Sequence, residues 1–232
     1  MGRLVLLALC GLLLAAAAFA DDPKKCHIVF MNHLDVGFTE PADEVMRQYF
    51  DEFFPRAVDT AQKMRAAGDD RYIYTTHPWL LDLFLEDPKV SDESKQAVTD
   101  TVAAGDLYWH AYPFNAEPEI TDPSLFQSAL QTAKRLAKHF NVSAPITMSH
   151  KDVPGMTRAV IPHLVDNDVY AVHVGVNGAS TPPDRPGDAM LWRDEASGKE
   201  VLLMYHEGGY GGDLTIDGFD EMLCVKFKGD ND

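Results

Sequence analysis

Along the chain, short apolar runs rich in β-branched residues alternate with longer stretches where apolar residues recur every three or four positions. His27 to Met31 is compact and apolar, which predicts a buried strand. Thr39-Glu40-Pro41 then opens a helix, with a cap candidate and an early proline. Val45, Met46, Tyr49, Phe50, Phe53 and Phe54 follow at helical spacing, and Pro55 breaks or restarts that helix before it stops near Gly68. Tyr72 to Thr75 is a second strand, Ser91 to Ala104 a helix halted at Gly105, and Leu107 to Trp109 a third strand. Asp122-Pro123 starts the clearest helix, in which Leu125, Phe126, Ala129, Leu130, Ala133, Leu136, Ala137 and Phe140 form one stripe. Strand Ile146 to Met148, a helical stretch from Thr157 to Val165 and strand Tyr170 to Val174 come next. A hairpin-like pair lies near Met190 to Trp192 and Val201 to Met204, and residues 178–187 read as a surface loop.

Strand–helix–strand alternation predicts an α/β fold with parallel strands. The 232 residues are 46% apolar and 10% aromatic, enough for a buried core, so disorder is excluded. The net charge of −16 makes nucleic acid and anionic lipid poor partners. Arg3, the apolar run Leu4 to Ala18 and the small-x-small Ala18-Phe19-Ala20 read as a cleaved signal peptide over residues 1–20. No later run is long and apolar enough to span a bilayer. The chain is thus expected in the secretory route, secreted or in a lysosome- or vacuole-like compartment. Asn141-Val142-Ser143 is a glycosylation sequon that fits this route. Cys26 and Cys224 are one disulfide or two free thiols.

In α/β folds, chemistry gathers just past the carboxyl ends of strands. The first strand runs into Asn32-His33-Leu34-Asp35-Val36-Gly37-Phe38. In extended chain His33 and Asp35 project together, so an imidazole and a carboxylate stand side by side as two ligands for Zn²⁺ or as a hydrogen-bonded strand-end pair. The fourth strand leads into Ser149-His150-Lys151-Asp152-Val153-Pro154-Gly155, which puts Asp152 at the same rim, as a third ligand or a turn aspartate. Trp79 follows Pro78 and reads first as a core aromatic; Glu117 and Glu119 lie in a loop and read as solvated charges. His206, the only late histidine, is a candidate for a fourth metal ligand within this chain.

This pair of loops carries a family resemblance. The chain resembles the N-terminal catalytic domain of the glycoside hydrolase family 38 α-mannosidases, from about Cys26 to Asp217. The family's zinc motif is similar to the strand-HxDxG-aromatic segment here, so the resemblance implies His33 and Asp35 as zinc ligands and Phe38 as an aromatic lining the sugar site. Phe140-Asn141-Val142-Ser143, a strand and then Asp152 resemble the stretch leading to the family's nucleophilic aspartate, which also binds zinc. Leu191-Trp192-Arg193 and the Gly-rich Glu207 to Asp213 look like the segment bearing a substrate-contacting acid, which implies Asp213. Phe38 and Trp79 are candidates to face a sugar ring. The fold implied is a parallel β/α barrel of the seven-stranded type, incomplete here. The activity implied is zinc-dependent, retaining hydrolysis of α-mannosides or related neutral glycosides, with Asp152 attacking the anomeric carbon.

The chain departs from the family at Met31, where a further His is usual, at Phe38, where Trp is usual, and at Val153-Pro154-Gly155, where Pro-Phe-Gly is usual. The family's fourth zinc ligand and general acid fall beyond residue 232, so the chain is expected to be a partial form, inactive alone. Two alternatives stay open. A metal-dependent polysaccharide deacetylase would also use Asp and His loops, but its usual HxxxH pair is not found. A non-catalytic carbohydrate-binding relic would keep the shape without the reaction.

Overall fold

The structure is a computed structural model that describes residues 29–68, 71–176, 180–181, 184 and 189–206. The signal segment, Cys26, Cys224, Glu207 and Asp213 lie outside the described residues, and so does most of the predicted 178–187 loop.

Seven strands are described: β1 (Phe30–Met31), β2 (Tyr74–Thr76), β3 (Leu107–Trp109), β4 (Thr147–Val153), β5 (Ala171–Val176), β6 (Ala189–Asp194) and β7 (Lys199–His206). They form a three-stranded sheet in the order β1-β2-β3 and a four-stranded sheet in the order β4-β5-β7-β6. Every pair is parallel except the β6–β7 hairpin. One main-chain bond, Ala111 N–H to the Thr147 carbonyl at 2.8 Å, ties the end of β3 to the start of β4. The fold is therefore α/β with parallel strands, as the alternation predicts. Among the described residues the strands form no closed barrel.

Parallel pairing needs a crossover connection, and helices supply it for β1–β2, β2–β3 and β4–β5, whereas strand β6 lies between β5 and β7 in the chain. Between β1 and β2 run α1 (Ala42–Gln48) and α2 (Phe54–Ala67), joined by a π-helical turn at Tyr49–Phe53. Pro55 explains the turn. Its missing N–H and its ring cannot accommodate the carbonyl four residues back, so the ladder widens ahead of it. Gly68, at φ +75°, ends α2 in the left-handed cap position that glycine adopts without strain. Between β2 and β3 lie α3 (Pro78–Glu86) and α4 (Asp92–Ala103), the latter capped by Ser91. The sequence pattern misses α3, whose signals are Pro78 at its start and Leu80, Leu81 and Phe84 on one buried face.

Helix α5 (Pro123–Phe140) begins at the Asp122 cap and joins two cores. Ala133, Leu136 and Ala137 pack with β2, β3 and helices α1–α4, whereas Phe126 and Leu130 pack with β4, β5, β7 and the short helix α6 (Ile161–Val165). The predicted stripe is thus real over most of its length, but Leu125 lies outside it, 61% exposed. The expected fourth strand is longer than its apolar run: β4 extends through His150 and Asp152 to Val153. Parallel pairing to β5 carries the polar residues along, where hydropathy alone ends the strand at Met148.

Candidate functional site

The register brings the carboxyl ends of the strands together. Met31 pairs with Thr75, and Thr75 with Tyr108. Two residues further along each chain stand His33, His77 and His110, on one face of the sheet by the period-two rule. His33 is held in place from its main chain. Tyr49, in the π-helical turn, donates a 2.6 Å hydrogen bond to the His33 carbonyl, and the Asn32 side chain donates to the Tyr49 hydroxyl at 3.4 Å.

Asp152 reaches the same rim through an irregularity. Lys151 pairs with Gly175 and Val153 with Val176, so Asp152 is the extra residue of a β-bulge, and its φ is +57°. Asp tolerates this left-handed conformation better than most L-residues, at a cost of about 1 kcal/mol. The bulge re-aims the side chain out of the strand's alternation. His33 Nε2 lies 3.4 Å from Asp35 Oδ1 and 3.4 Å from Asp152 Oδ2. One ligand atom from each of the three residues lies within 4.8 Å of the other two.

The spacing fits a metal. A tetrahedral ion binding N and O donors at about 2.0–2.1 Å sets neighbouring donors about 3.3–3.4 Å apart. Both His–Asp separations have that value. A divalent ion held between Asp35 and Asp152 would offset the mutual repulsion of their carboxylates.

Neutral groups and one lysine surround the site. His110 Nδ1 accepts from the Tyr112 main-chain N–H at 3.3 Å, so its Nε2 carries the proton and donates to His77 Nδ1 at 2.8 Å. His77 Nε2–H then has no partner among the described residues, although it is buried. Burial first, then nearby His33, His150 and Lys151, pushes the His77 pKa down to about 3. Burial also holds His110 well below the ordinary histidine range and His150 down to about 4, against the Ala116 carbonyl, which favours its protonated form. Burial lowers Lys151, and its main-chain N–H donates to Asn115 Oδ1 at 3.2 Å.

The structure thus brings together three of the residues singled out in the sequence: His33, Asp35 and Asp152. Phe38 sits on the loop just past Asp35, 85% exposed. Trp79 packs on the first core and meets the Phe114 ring edge-on, with centroids 6.0 Å apart. Asn141 is the exposed left-handed C-cap of α5. His206 ends β7, and its side chain lies outside the described residues. Sequence reasoning misses Tyr49, which falls on an apolar helical stripe and reads as core, and Asn115, which lies in an unpatterned loop.

No family model matches the chain, and no curated protein matches it. Solved structures do match. An α-mannosidase from Enterococcus faecalis V583 aligns with a TM-score of 0.60 at 16% identity, over 76% of this chain and 19% of that one. A protein in glycosyl hydrolase family 38 from Enterococcus faecalis aligns at 0.55 and 12% identity, over 76% and 18%. A 4-α-glucanotransferase from Thermococcus litoralis aligns at 0.53 and 11% identity, over 77% and 27%. The chain therefore shares its fold with domains of carbohydrate-active enzymes, including family 38 glycoside hydrolases, and spans about a fifth to a quarter of their length.

Proposed function

We propose that the protein is a metal-dependent glycoside hydrolase of the α-mannosidase type, acting on α-mannosides or related neutral glycosides. The observation that carries this reading is the convergence of His33, Asp35 and Asp152 at the strand ends of a fold shared with an α-mannosidase. Zinc suits the N,O,O donor set, and His33, Asp35 and Asp152 would hold it. When bound, the ion supplies Lewis-acid polarisation of ligand oxygens.

In this reading Asp152 is the nucleophile. The bulge turns its carboxylate toward His33 and away from the strand face, so its position is set by the backbone. The bond from Tyr49 to the His33 carbonyl anchors the main chain from which the imidazole projects. The neutral His77–His110 pair adds no positive charge beside the carboxylates. Phe38, exposed beside Asp35, offers its ring to the apolar face of a sugar. The general acid, Asp213 and any fourth zinc ligand belong to the same reading and rest on family resemblance alone. The secretory route rests on residues 1–20 and on Asn141, which the α5 cap leaves open to an oligosaccharide.

A fluorinated mannosyl trapping reagent tests the nucleophile. Peptide mass spectrometry should find the label on the peptide containing Asp152, and Asp152→Asn should abolish it. Label confined to another peptide would assign the nucleophile elsewhere.

A further inference from the structure

The protons of the buried His77–His110 pair have a fixed direction. Strands β1, β2 and β3 lie side by side in that order. The Asn32 N–H reaches the Thr75 carbonyl at 3.3 Å and the Trp79 N–H reaches the Pro113 carbonyl at 3.3 Å, so the chains stay side by side past the strand ends. His33, His77 and His110 therefore stand on neighbouring chains, about 4.8 Å from one to the next.

A peptide N–H always carries its proton, so Tyr112 sets the sense of the whole row. His110 Nδ1 accepts from it at 3.3 Å, His110 Nε2–H donates to His77 Nδ1 at 2.8 Å, and His77 Nε2–H is left as a further donor. The two nitrogens lie on opposite sides of an imidazole ring. With Nδ1 against His110 on the β3 side, Nε2–H points back toward β1, where His33 stands. Both rings are buried, and no described residue accepts from His77 Nε2. A buried N–H without an acceptor is costly, so this one calls for a partner on the His33 side.

Two consequences bear on the site formed by His33, Asp35 and Asp152. A protonated ring nitrogen has no lone pair for a metal, so His77 is no ligand, although it neighbours one. Asp152, which follows β4, meets His33 Nε2 at 3.4 Å. To do so its carboxylate crosses the ends of β2 and β3, where His77 and His110 stand. A carboxylate that gives one oxygen to an ion keeps a second to accept with, and ligating carboxylates are hydrogen-bonded in turn.

We propose that His77 is a positioning residue of the metal site: in the zinc-loaded protein its Nε2–H donates to the Asp152 carboxylate, and His110, held by the Tyr112 main chain, keeps it a donor. The proposal rests on the metal-site reading of the proposed function and adds a residue to it.

The test is nitrogen-15 NMR of the histidine rings in the full chain, before and after one equivalent of Zn²⁺, with His77 and His110 assigned by Gln substitution. Both should be neutral Nε2–H tautomers, and zinc should move the His77 Nε2–H proton downfield without removing it. His110→Phe should let His77 adopt both tautomers, which a change in packing alone would not do. In zinc titrations His77→Phe should weaken the Kd about tenfold, and His77→Gln, which keeps an N–H, should stay within about threefold of wild type. Loss of the Nε2–H on zinc addition would make His77 a ligand and overturn the proposal. An Nδ1–H tautomer, an unmoved His77 signal in the zinc-loaded protein or a Kd unchanged by His77→Phe would overturn it as well. The wild-type spectra decide the matter if the Phe variants fail to fold. A wild type that binds no zinc counts against the metal site itself, and the proposal falls with it.

Discussion

The Tyr49 hydroxyl donates a 2.6 Å hydrogen bond to the main-chain carbonyl of His33. A helix irregularity and a metal-type ligand are thereby linked. Pro55 disrupts the helix, the disruption is absorbed as a π-helical turn, and Tyr49 in that turn reaches the first strand's end. Burial, with nearby Asp35 adding to it, pushes the phenol pKa up, opposed by the Asn32 hydrogen bond, so Tyr49 keeps its proton and remains a donor.

Tyr49→Phe should therefore loosen His33 without emptying the core. The expected result is a zinc Kd weaker by about tenfold, the scale for groups that orient metal ligands. The stability loss should be about 1 kcal/mol, that of one hydrogen bond. Zinc titration and urea denaturation of the same variant separate the two effects. An unchanged Kd would mean that Tyr49 serves packing alone.

Asp152 holds a left-handed backbone and faces Asp35 across a short gap. The left-handed backbone costs stability. Asp152→Gly should stabilise the metal-free protein by about 1 kcal/mol, through relief of conformation. It should abolish zinc binding at the same time. Urea denaturation in the presence of a chelator measures the gain, and a clear destabilisation would contradict the strain assigned to the bulge.

Much of this site is legible in the sequence, and the reason is chain geometry. His33 and Asp35 are two residues apart at a strand end, so the period of extended chain alone pairs them. Asp152 follows another predicted strand in a fold whose strand ends converge. Two features stay out of reach. The bulge at Asp152 depends on pairing with β5, a non-local contact that no local pattern announces. Tyr49 has the same apolar spacing as its buried neighbours, and only the tertiary structure shows where its hydroxyl goes. Helix α3 is missed although Pro78 stands at its first residue, a position that favours proline.

The His77–His110 pair sets an acid limit on stability. Both folded pKa values lie below the unfolded value of about 6.5, His77 at about 3. The unfolded chain thus binds more protons as pH falls, so the stability contribution is complete above about pH 6.5 and is lost toward the folded pKa values. For two such groups the slope approaches about 2.7 kcal/mol per pH unit. Denaturant titrations at pH 7.5 and 5.0 should show this loss, and replacing both histidines with Gln should flatten it. An equal slope in the double variant would place the titrating groups elsewhere.

The most direct test of the account is zinc binding by the full chain. Metal-free protein titrated with Zn²⁺ should take up about one ion per chain at a single tight site. His33→Ala should weaken that site by at least about 100-fold, since it removes a nitrogen that both carboxylates face. A wild type that takes up no zinc, or a His33→Ala variant with wild-type stoichiometry and affinity, would contradict a shared metal site at His33, Asp35 and Asp152.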